Sequence, residues 1–322
     1  MNIVQANDSD RIAIQDFLRK NWSENHIFVR DSEFFNFEMS PFGDINFILA
    51  KNNDGEIVGL VGFTQNHSDL SNSNVFLVML RVLSDYAKSG LSFKLINSCV
   101  SLTNGFVSTV GANVRALPLY KLLGFSTGYL EHYYWINPRL TSYKICIPPP
   151  KTASRKNETM PDEVSCFSQV DVISKASFQP LSGRRDFESF TKRYVEHPKY
   201  KYKFVLSADL NSLLVCREVC ANGSTALKVI DYFGDVENIS LALRAVKKIA
   251  LINNYEFVDI YVKGIEERSF IDAGFVLNTQ DESIIIPNYF TPFIQSNVKV
   301  SYATRNEELI LMRGDGDQDR PS

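Results

Sequence analysis

The sequence lacks long apolar runs, a cysteine framework and an excess of basic residues, and each absence excludes a class of protein. No stretch of the 322 residues approaches the roughly 20 apolar residues of a membrane-spanning helix, and the polar first residues do not resemble a secretory signal. A net charge of −3 disfavours a broad nucleic-acid surface. The 5 cysteines are scattered and show no zinc spacing. We expect a cytoplasmic protein with no nucleic-acid partner, no bound metal and cysteines that serve in packing.

The chain has enough apolar material for two cores. Hydrophobic residues make up 44% of the 322 positions, and a domain takes about 100–200 residues. Between residues 145 and 165 the apolar periodicity stops, and Pro148-Pro149-Pro150 stands in this stretch. We therefore predict a first domain over residues 1–145, a linker over 146–165 and a second domain over 166–322.

The first part of the chain begins with helical patterns and then turns to strands. Apolar spacing predicts a helix over Ser9–Trp22 and a second one around Asp31–Glu38. Ile45–Ala50 and Ile57–Thr64 form a predicted hairpin, joined by a turn with an Asp-Gly pair. Val75–Leu83 is almost wholly apolar, which indicates a central strand covered on both faces.

The next segment alternates between helix and strand. A polar turn over Ser84–Ser89 leads into a helix that opens at Gly90. Phe106–Val110 is predicted to be a strand, and a short helix then ends in Leu-Leu-Gly-Phe at Leu122–Phe125. Tyr133–Ile136 is predicted to be the strand that closes the first domain.

The second half repeats this order of elements. A hairpin, an apolar strand, a helix, a strand and a short helix ending in Gly-Phe follow one another again. The spacing from Val82 to Phe125 is 43 residues, and that from Val229 to Phe275 is 46. Self-similarity on this scale indicates two copies of one α/β fold, although two unrelated α/β domains are the alternative. In each copy we expect a mixed, mostly antiparallel sheet, flanked by helices, around a central strand-loop-helix.

The turn before Gly90 is a candidate anion site. A strand ends there and a helix begins, so backbone N–H groups and the positive end of the helix dipole point outward. Lys88 adds a positive charge. The alternative is an ordinary strand-to-helix turn in which glycine serves only backbone geometry.

The turn and a later motif together resemble the acyl-CoA-binding core of the GNAT acyltransferase superfamily. The family's loop reads R/Q-x-x-G-x-G/A. Here residues 87–92 keep the glycine, while Ala87 and Ser92 depart from the pattern. The later motif fits better, with matching residues at Asn113, Ala116, Leu119, Tyr120, Gly124 and Phe125.

The resemblance implies a donor site for acyl-CoA and direct transfer to an amine. Tyr120 is the expected acid for the departing CoA thiolate, and a strand N–H near the end of Val75–Leu83 is expected to stabilise the oxyanion. The residues implied to bind the cofactor are Val82, Leu83, Tyr86, Ala87, Lys88, Ser89, Gly90, Leu91, Ser92, Asn113 and Tyr120.

The second copy departs from the family pattern. Gly234–Asn238 contains two acidic residues and no glycine-rich turn, and Phe270 stands where Tyr120 stands in the first copy. The resemblance implies that this copy has lost the cofactor site and binds the acyl acceptor. His26 is the candidate base for the amine proton, with His67 as a second candidate. An ordinary hydrogen bond in a turn is the alternative role for His26.

The acidic ending Arg313–Ser322 and the overall layout resemble those of tandem GNAT proteins of bacterial surface-polysaccharide (O-antigen) synthesis. These are similar to N-acyltransferases that modify a nucleotide-linked amino sugar, such as a dTDP-linked aminodideoxyhexose. A solvated tail is the alternative. The residues implied to bind the acceptor are His26, Arg30, Asp231, Tyr232, Asp317 and Arg320.

Two other functions compete with this one. An aminoacyl transferase of the peptidoglycan-bridge type also has two GNAT-like domains, but its tRNA substrate calls for a basic groove that this acidic chain does not suggest. A non-catalytic sensor of acyl-CoA or nucleotide sugar fits the altered loop positions Ala87 and Ser92. The sequence leaves the acyl group, the sugar and the oligomeric state open.

Overall fold

The protein is represented by a computed structural model that describes residues 1–103, 106–150, 165–167 (backbone only), 184–206 and 212–321. The strands are β1 (Asn2–Gln5), β2 (Phe47–Lys51), β3 (Ile57–Gln65), β4 (Val75–Val82), β5 (Val107–Val110), β6 (Ser126–Tyr129), β7 (Glu131–Ile136), β8 (Ser165–Phe167), β9 (Lys203–Leu206), β10 (Ser212–Ala221), β11 (Ser224–Gly234), β12 (Phe257–Lys263), β13 (Val276–Leu277), β14 (Ser301–Thr304) and β15 (Leu311–Met312). The helices are α1 (Arg11–Asn21), α2 (Ile27–Arg30), α3 (Ser32–Met39), α4 (Leu91–Leu102), α5 (Leu117–Leu122), α6 (Phe187–Phe190), α7 (Ile239–Ile252) and α8 (Glu267–Asp272).

The strands form two mixed sheets of the same design. The first has the order β1-β2-β3-β4-β5-β14-β6, and the second has the order β8-β9-β10-β11-β12-β7-β13, with β15 also paired to β12. Every pairing in the two sheets is antiparallel except β4 with β5 and β11 with β12. The predicted fold class, a mixed α/β sheet present in two tandem copies, is confirmed.

The two sheets exchange one strand each. β7 pairs with β12 and β13, so the strand predicted to close the first domain belongs to the second sheet. In return, β14 from the C-terminal part lies between β5 and β6 of the first sheet. Assigning β7 to the first sheet was wrong because a strand's apolar pattern does not specify its partner. The sheets therefore do not separate at residue 145.

Helices cover both sheets and bury large apolar faces. The apolar stripe of α4, including Leu95, Ile96 and Cys99, packs with β2–β5 in one core of the first half. Residues of α1 and α3 fill a second core with other residues of that sheet. In the second half, α7 and α8 contribute to one large core. Among the described residues, no helix is long and apolar enough to cross a membrane.

The start of the predicted linker packs against the second sheet. Ile145 and Cys146 are buried, and their backbone N–H groups donate to the Glu256 carboxylate at 2.9 and 3.1 Å. The rest of that prediction, from residue 151 to 164, lies outside the described residues. Cys220 is exposed rather than packed, whereas Cys99, Cys146 and Cys216 are buried thiols.

Candidate acyl-transfer site

The first sheet opens between its two parallel strands. β4 and β5 pair only at Val75–Val107 and Phe76–Ser108, although β4 continues to Val82. Beyond the paired residues, no described strand lies between them. The edge of β4 that faces β5 therefore keeps backbone groups available for a ligand. We call this opening the donor wedge.

The turn after β4 has the geometry of an anion site. Gly90 adopts a left-handed conformation with φ of 72°, and α4 begins at Leu91 without a side-chain cap. A Cβ built on Gly90 would meet nothing within 4 Å, so the turn faces open space. Lys88 and Asp85 are both exposed here and their charges balance. The attraction for an anion therefore comes from the uncapped N–H groups and the helix dipole.

Tyr120 lies in α5 behind β5. Its ring packs edge-on against Phe125, with 5.3 Å between the ring centroids. Burial, with a smaller contribution from nearby Cys99, raises the pKa of Tyr120 to about 12, and its hydroxyl contacts the Thr109 side chain. The phenol therefore keeps its proton at neutral pH, as an acid must. Asn113 is exposed, and its side chain accepts the Arg115 N–H at 3.0 Å, so it caps the turn before α5.

The corresponding opening in the second sheet is filled by the chain itself. Val262 of β12 pairs with Glu131 of β7 on one side and with Met312 of β15 on the other. The last pair between β11 and β12 is Val229–Ile260. Beyond that pair, β15 lies beside β12 in place of β11. This arrangement gives a physical reason why the second copy would not admit the arm of a CoA molecule.

The C-terminal segment after β15 is ordered through residue 321 and held by buried ion pairs. Arg313 donates to Asp259 at 2.6 Å, Asp315 accepts from Arg184 at 2.8 Å, and Asp319 accepts from Arg217 at 2.8 Å. The solvated-tail alternative is therefore wrong for this segment. These charges lie inside the molecule because Arg313, Asp315 and Asp319 each have a partner of opposite sign.

The same segment joins the two halves beside the donor wedge. Arg320 donates to Glu38 of α3 through Nε at 2.9 Å and Nη2 at 2.7 Å. A Cβ built on Gly111, just after β5, would fall 2.7 Å from Asp317 Oδ1. Among the described residues no cation forms an ion pair with Asp317, and burial raises the pKa of its carboxyl. The structure therefore brings Asp317 to the end of β5.

His26 and Arg30 belong to α2. The Nδ1 atom of His26 accepts the Phe28 N–H at 3.3 Å, which caps the helix. Burial, helped by the charge of Arg320, lowers the pKa of His26 to about 4, so the ring is neutral at pH 7. Arg30 is exposed. His67 Nδ1 lies 3.8 Å from Asp186 Oδ2, on the side of the first sheet that meets the second half.

Asp231 and Tyr232 lie inside the second half. Asp231 is buried and accepts from Tyr194 Oη at 2.6 Å and from Arg185 Nε at 3.2 Å. Tyr232 donates to the Asp235 carbonyl at 2.5 Å. Both side chains hold the framework of the second half, and the structure does not bring them to the donor wedge.

The sequence pattern did not predict the cationic and acidic residues that lie between the halves. Arg184, Arg185, Arg193 and Glu38 converge there from two parts of the chain. The adjacent arginines 184 and 185 were a visible signal, but Glu38 and its partner Arg320 are 282 positions apart. Among the described residues no group of three or more His, Cys, Asp or Glu side chains is placed to hold a metal ion.

Comparisons with known proteins bear on the family and the fold of this chain. Residues 11–125 match the Acetyltransferase (GNAT) family. This part of the chain is therefore similar to the GNAT acetyltransferases. A search of curated proteins found no match.

Solved structures show the same fold over nearly the whole chain. A GCN5-related N-acetyltransferase from Anabaena variabilis is 10% identical with a TM-score of 0.55, over 94% of this chain and 72% of that one. A GCN5-related N-acetyltransferase from Kribbella flavida is 13% identical with a TM-score of 0.52, over 94% of this chain and 70% of that one. At these identities the likeness concerns the fold alone.

Proposed function

We propose that the protein transfers an acyl group from acyl-CoA to the amino group of a nucleotide-linked amino sugar, such as a dTDP-sugar, in the cytoplasm. The observation that supports this most is the contrast between the two copies. On the β5 side of β4 no described strand pairs beyond Phe76, and an uncapped helix begins nearby, whereas β15 pairs with β12 at the equivalent place in the second sheet. Gly316 of the C-terminal segment packs against Val110 at the end of β5, so the wedge is free along β4 and covered at that end of β5. One donor site thus faces a second half that is free to bind the acceptor.

The donor would be held mainly by backbone groups. The turn over residues 86–92 would bind the pyrophosphate of CoA, and the free edge of β4 would hydrogen-bond the pantetheine arm. A β4 N–H group in the wedge would stabilise the oxyanion that forms on the thioester carbonyl. Tyr120 would then give its proton to the departing thiolate as the C–S bond breaks and the C–N bond forms.

The amine must lose a proton during the attack, and two groups are candidates to take it. His26 is neutral, but its Nδ1 already accepts the Phe28 N–H and its lowered pKa makes it a weak base. Asp317 lies at the end of β5, forms no ion pair with a described residue, and has a raised pKa. We therefore favour Asp317 over His26 as the base. This gives Asp317 a role in catalysis, whereas the resemblance implied that it binds the acceptor.

A pair of measurements tests the function. Calorimetry with CoA should show binding, and a thiol-release assay should show turnover with acetyl-CoA and a nucleotide-linked amino sugar. CoA binding without thiol release across a panel of acyl donors and amines would instead support the sensor, which Ala87 and Ser92 keep open as an alternative. Thiol release with simple amines alone would retain acyl transfer and reject the nucleotide-linked acceptor.

A further inference from the structure

A cleft separates α3 of the first half from α6 and the π-helical turn Thr191–Val195 of the second. Its inner part has a volume of about 40 Å³, and an outer part of about 360 Å³ adjoins it. The two parts share the lining residues Pro41, Phe42 and Lys192. We call the whole the interdomain cleft.

Most charges around the interdomain cleft are paired with an opposite charge. Arg185 lies between Asp231 and Asp315, at 3.2 and 3.1 Å. Glu38 is neutralised by Arg320, and Lys192 lies 3.4 Å from Glu196 on the surface. These pairs leave the local charge near balance.

Arg193 in the inner part and the exposed Glu188 in the outer part are the exceptions among the described residues. In the described part of the chain, no carboxylate lies within the 4.0 Å of an ion pair with the Arg193 guanidinium. Its Nη2 reaches only the Gly316 carbonyl at 3.4 Å, and its Nε atom is buried with no hydrogen-bond partner in the described part of the chain. Burying a charged donor without an acceptor is costly. Although burial opposes the charge, Tyr194, Glu38 and Asp319 hold the pKa of Arg193 above its ordinary value, so what Arg193 lacks is an acceptor for its Nε–H group, which an anion in the cleft could supply.

The inner cleft also lies close to the donor wedge. Thr64 and Gln65 of β3 line it, and Thr64 pairs directly with Phe76 of β4, the residue at which β4 and β5 begin to separate. Neighbouring strands are about 4.8 Å apart. An anion held at Arg193 would therefore be near the acyl group.

We propose that Arg193, assisted by Lys192, binds the phosphate or diphosphate group of the acyl acceptor. A guanidinium has the fork geometry that phosphate oxygens match. Lys192 lies at the boundary between the two parts, and because its surface pair with Glu196 is weak, it can turn to an anion in the cleft. The outer part has an apolar wall that includes Pro41, Phe42 and Phe187, which suits a sugar or a base. This inference rests on the proposed function, because it names how the acceptor is recognised.

Binding of TDP, UDP and inorganic pyrophosphate to the full-length protein tests the inference. Saturating CoA is present throughout, so that the phosphates of CoA do not compete for the diphosphate. Arg193→Gln should weaken diphosphate binding at least about tenfold, as expected for the loss of a charge-assisted hydrogen bond. Arg193→Lys should retain part of the affinity. Arg244→Ala, on the exposed face of α7, is the matched control and should bind as the unmodified protein does.

Several outcomes overturn the inference. Equal affinity in Arg193→Gln and the unmodified protein is one. Failure of the CoA-saturated unmodified protein to bind TDP, UDP or pyrophosphate is another, since no anion site would then exist apart from that of the donor. If Arg193→Gln does not fold, the melting temperature of the CoA-loaded protein replaces the binding measurement. Diphosphate should raise this temperature in the unmodified protein and raise it by less in Arg193→Lys. If diphosphate does not raise it in the unmodified protein, the site is rejected.

The inference and the proposed function can fail separately. Arg193-dependent diphosphate binding without thiol release leaves the anion site standing and rejects catalysis. Thiol release that is equally fast with nucleotide-linked and unphosphorylated amino sugars keeps acyl transfer and rejects the anion site.

Discussion

At the scale of single residues, burial sets the protonation state of the groups that we propose for catalysis. Tyr120 lies in the core with 4% of its surface exposed, and its pKa is raised to about 12. His26 is held neutral because its pKa falls to about 4, while the Asp317 carboxyl titrates above its ordinary range. Each shift arises mainly from desolvation of the charged form.

Tyr120→Phe should lower kcat by about 100-fold, because general acid catalysis contributes about 10²–10⁴-fold. CoA affinity should stay within about twofold, since the hydroxyl contacts Thr109 and the donor is held by backbone groups. Thiol release and calorimetry on the same preparation give both quantities. An unchanged kcat would remove Tyr120 from the role of acid.

Asp317→Asn and His26→Asn distinguish the two candidate bases. Asp317→Asn should lower kcat by about 100-fold and remove the acidic limb of the pH–rate profile that comes from the carboxyl. Because the Asp317 pKa is raised, that limb lies above the pH at which an ordinary aspartate titrates. His26→Asn should leave the limb in place. If His26→Asn removed the limb and Asp317→Asn left it in place, His26 would be the base.

At the scale of elements, the strand-turn-helix of the first copy was predictable because it is local. The apolar run of β4, the turn and the stripe of α4 appear within residues 75–102, and the structure has them where the pattern places them. β1 was missed because four partly exposed edge residues carry no clear alternation. Asn7 caps a 3-10 turn over Asp8–Asp10 that leads into α1.

Gly90→Ala tests this element against a matched glycine in another turn. A left-handed alanine costs about 1–2 kcal/mol, and Gly55 also has a positive φ and open space around its Cβ position. Both substitutions should therefore lower the free energy of unfolding by a similar amount. Gly90→Ala alone should also weaken CoA binding, because it disturbs the N–H groups at the start of α4.

Denaturant unfolding and CoA calorimetry measure these two effects. If Gly55→Ala weakened CoA binding as much as Gly90→Ala did, the turn before α4 would not be the pyrophosphate site.

At the scale of the whole molecule, the sequence pattern predicted two copies but not how they interlock. The exchange of β7 and β14, the insertion of β15 and the Glu38–Arg320 pair all join residues far apart in the chain. A local apolar or charged pattern contains no information about such partners. For the same reason the sequence could indicate the turn before Gly90 as a candidate anion site but not the cationic residues of the interdomain cleft.

The strand exchange predicts that the two halves unfold together. The sequence contains 2 tryptophans, and the structure places one in each half: Trp22 follows α1, and Trp135 is buried in the second sheet. Trp135→Phe leaves Trp22 as the probe of the first half, and Trp22→Phe leaves Trp135 as the probe of the second. Because neither sheet is complete without a strand from the other half, we expect one cooperative transition.

In each single-tryptophan protein, the fluorescence transition in denaturant should coincide with the circular-dichroism transition of the same sample. Both signals come from the same sample. If a substitution destabilises the protein, it therefore shifts the fluorescence and circular-dichroism curves together and does not affect the test. Halves that fold independently would instead give a tryptophan midpoint displaced from the circular-dichroism curve, or a curve with two steps. That result would mean that β7 and β14 contribute little to the stability of the sheets they join, and the domain boundary predicted at residue 145 would then mark two folding units after all.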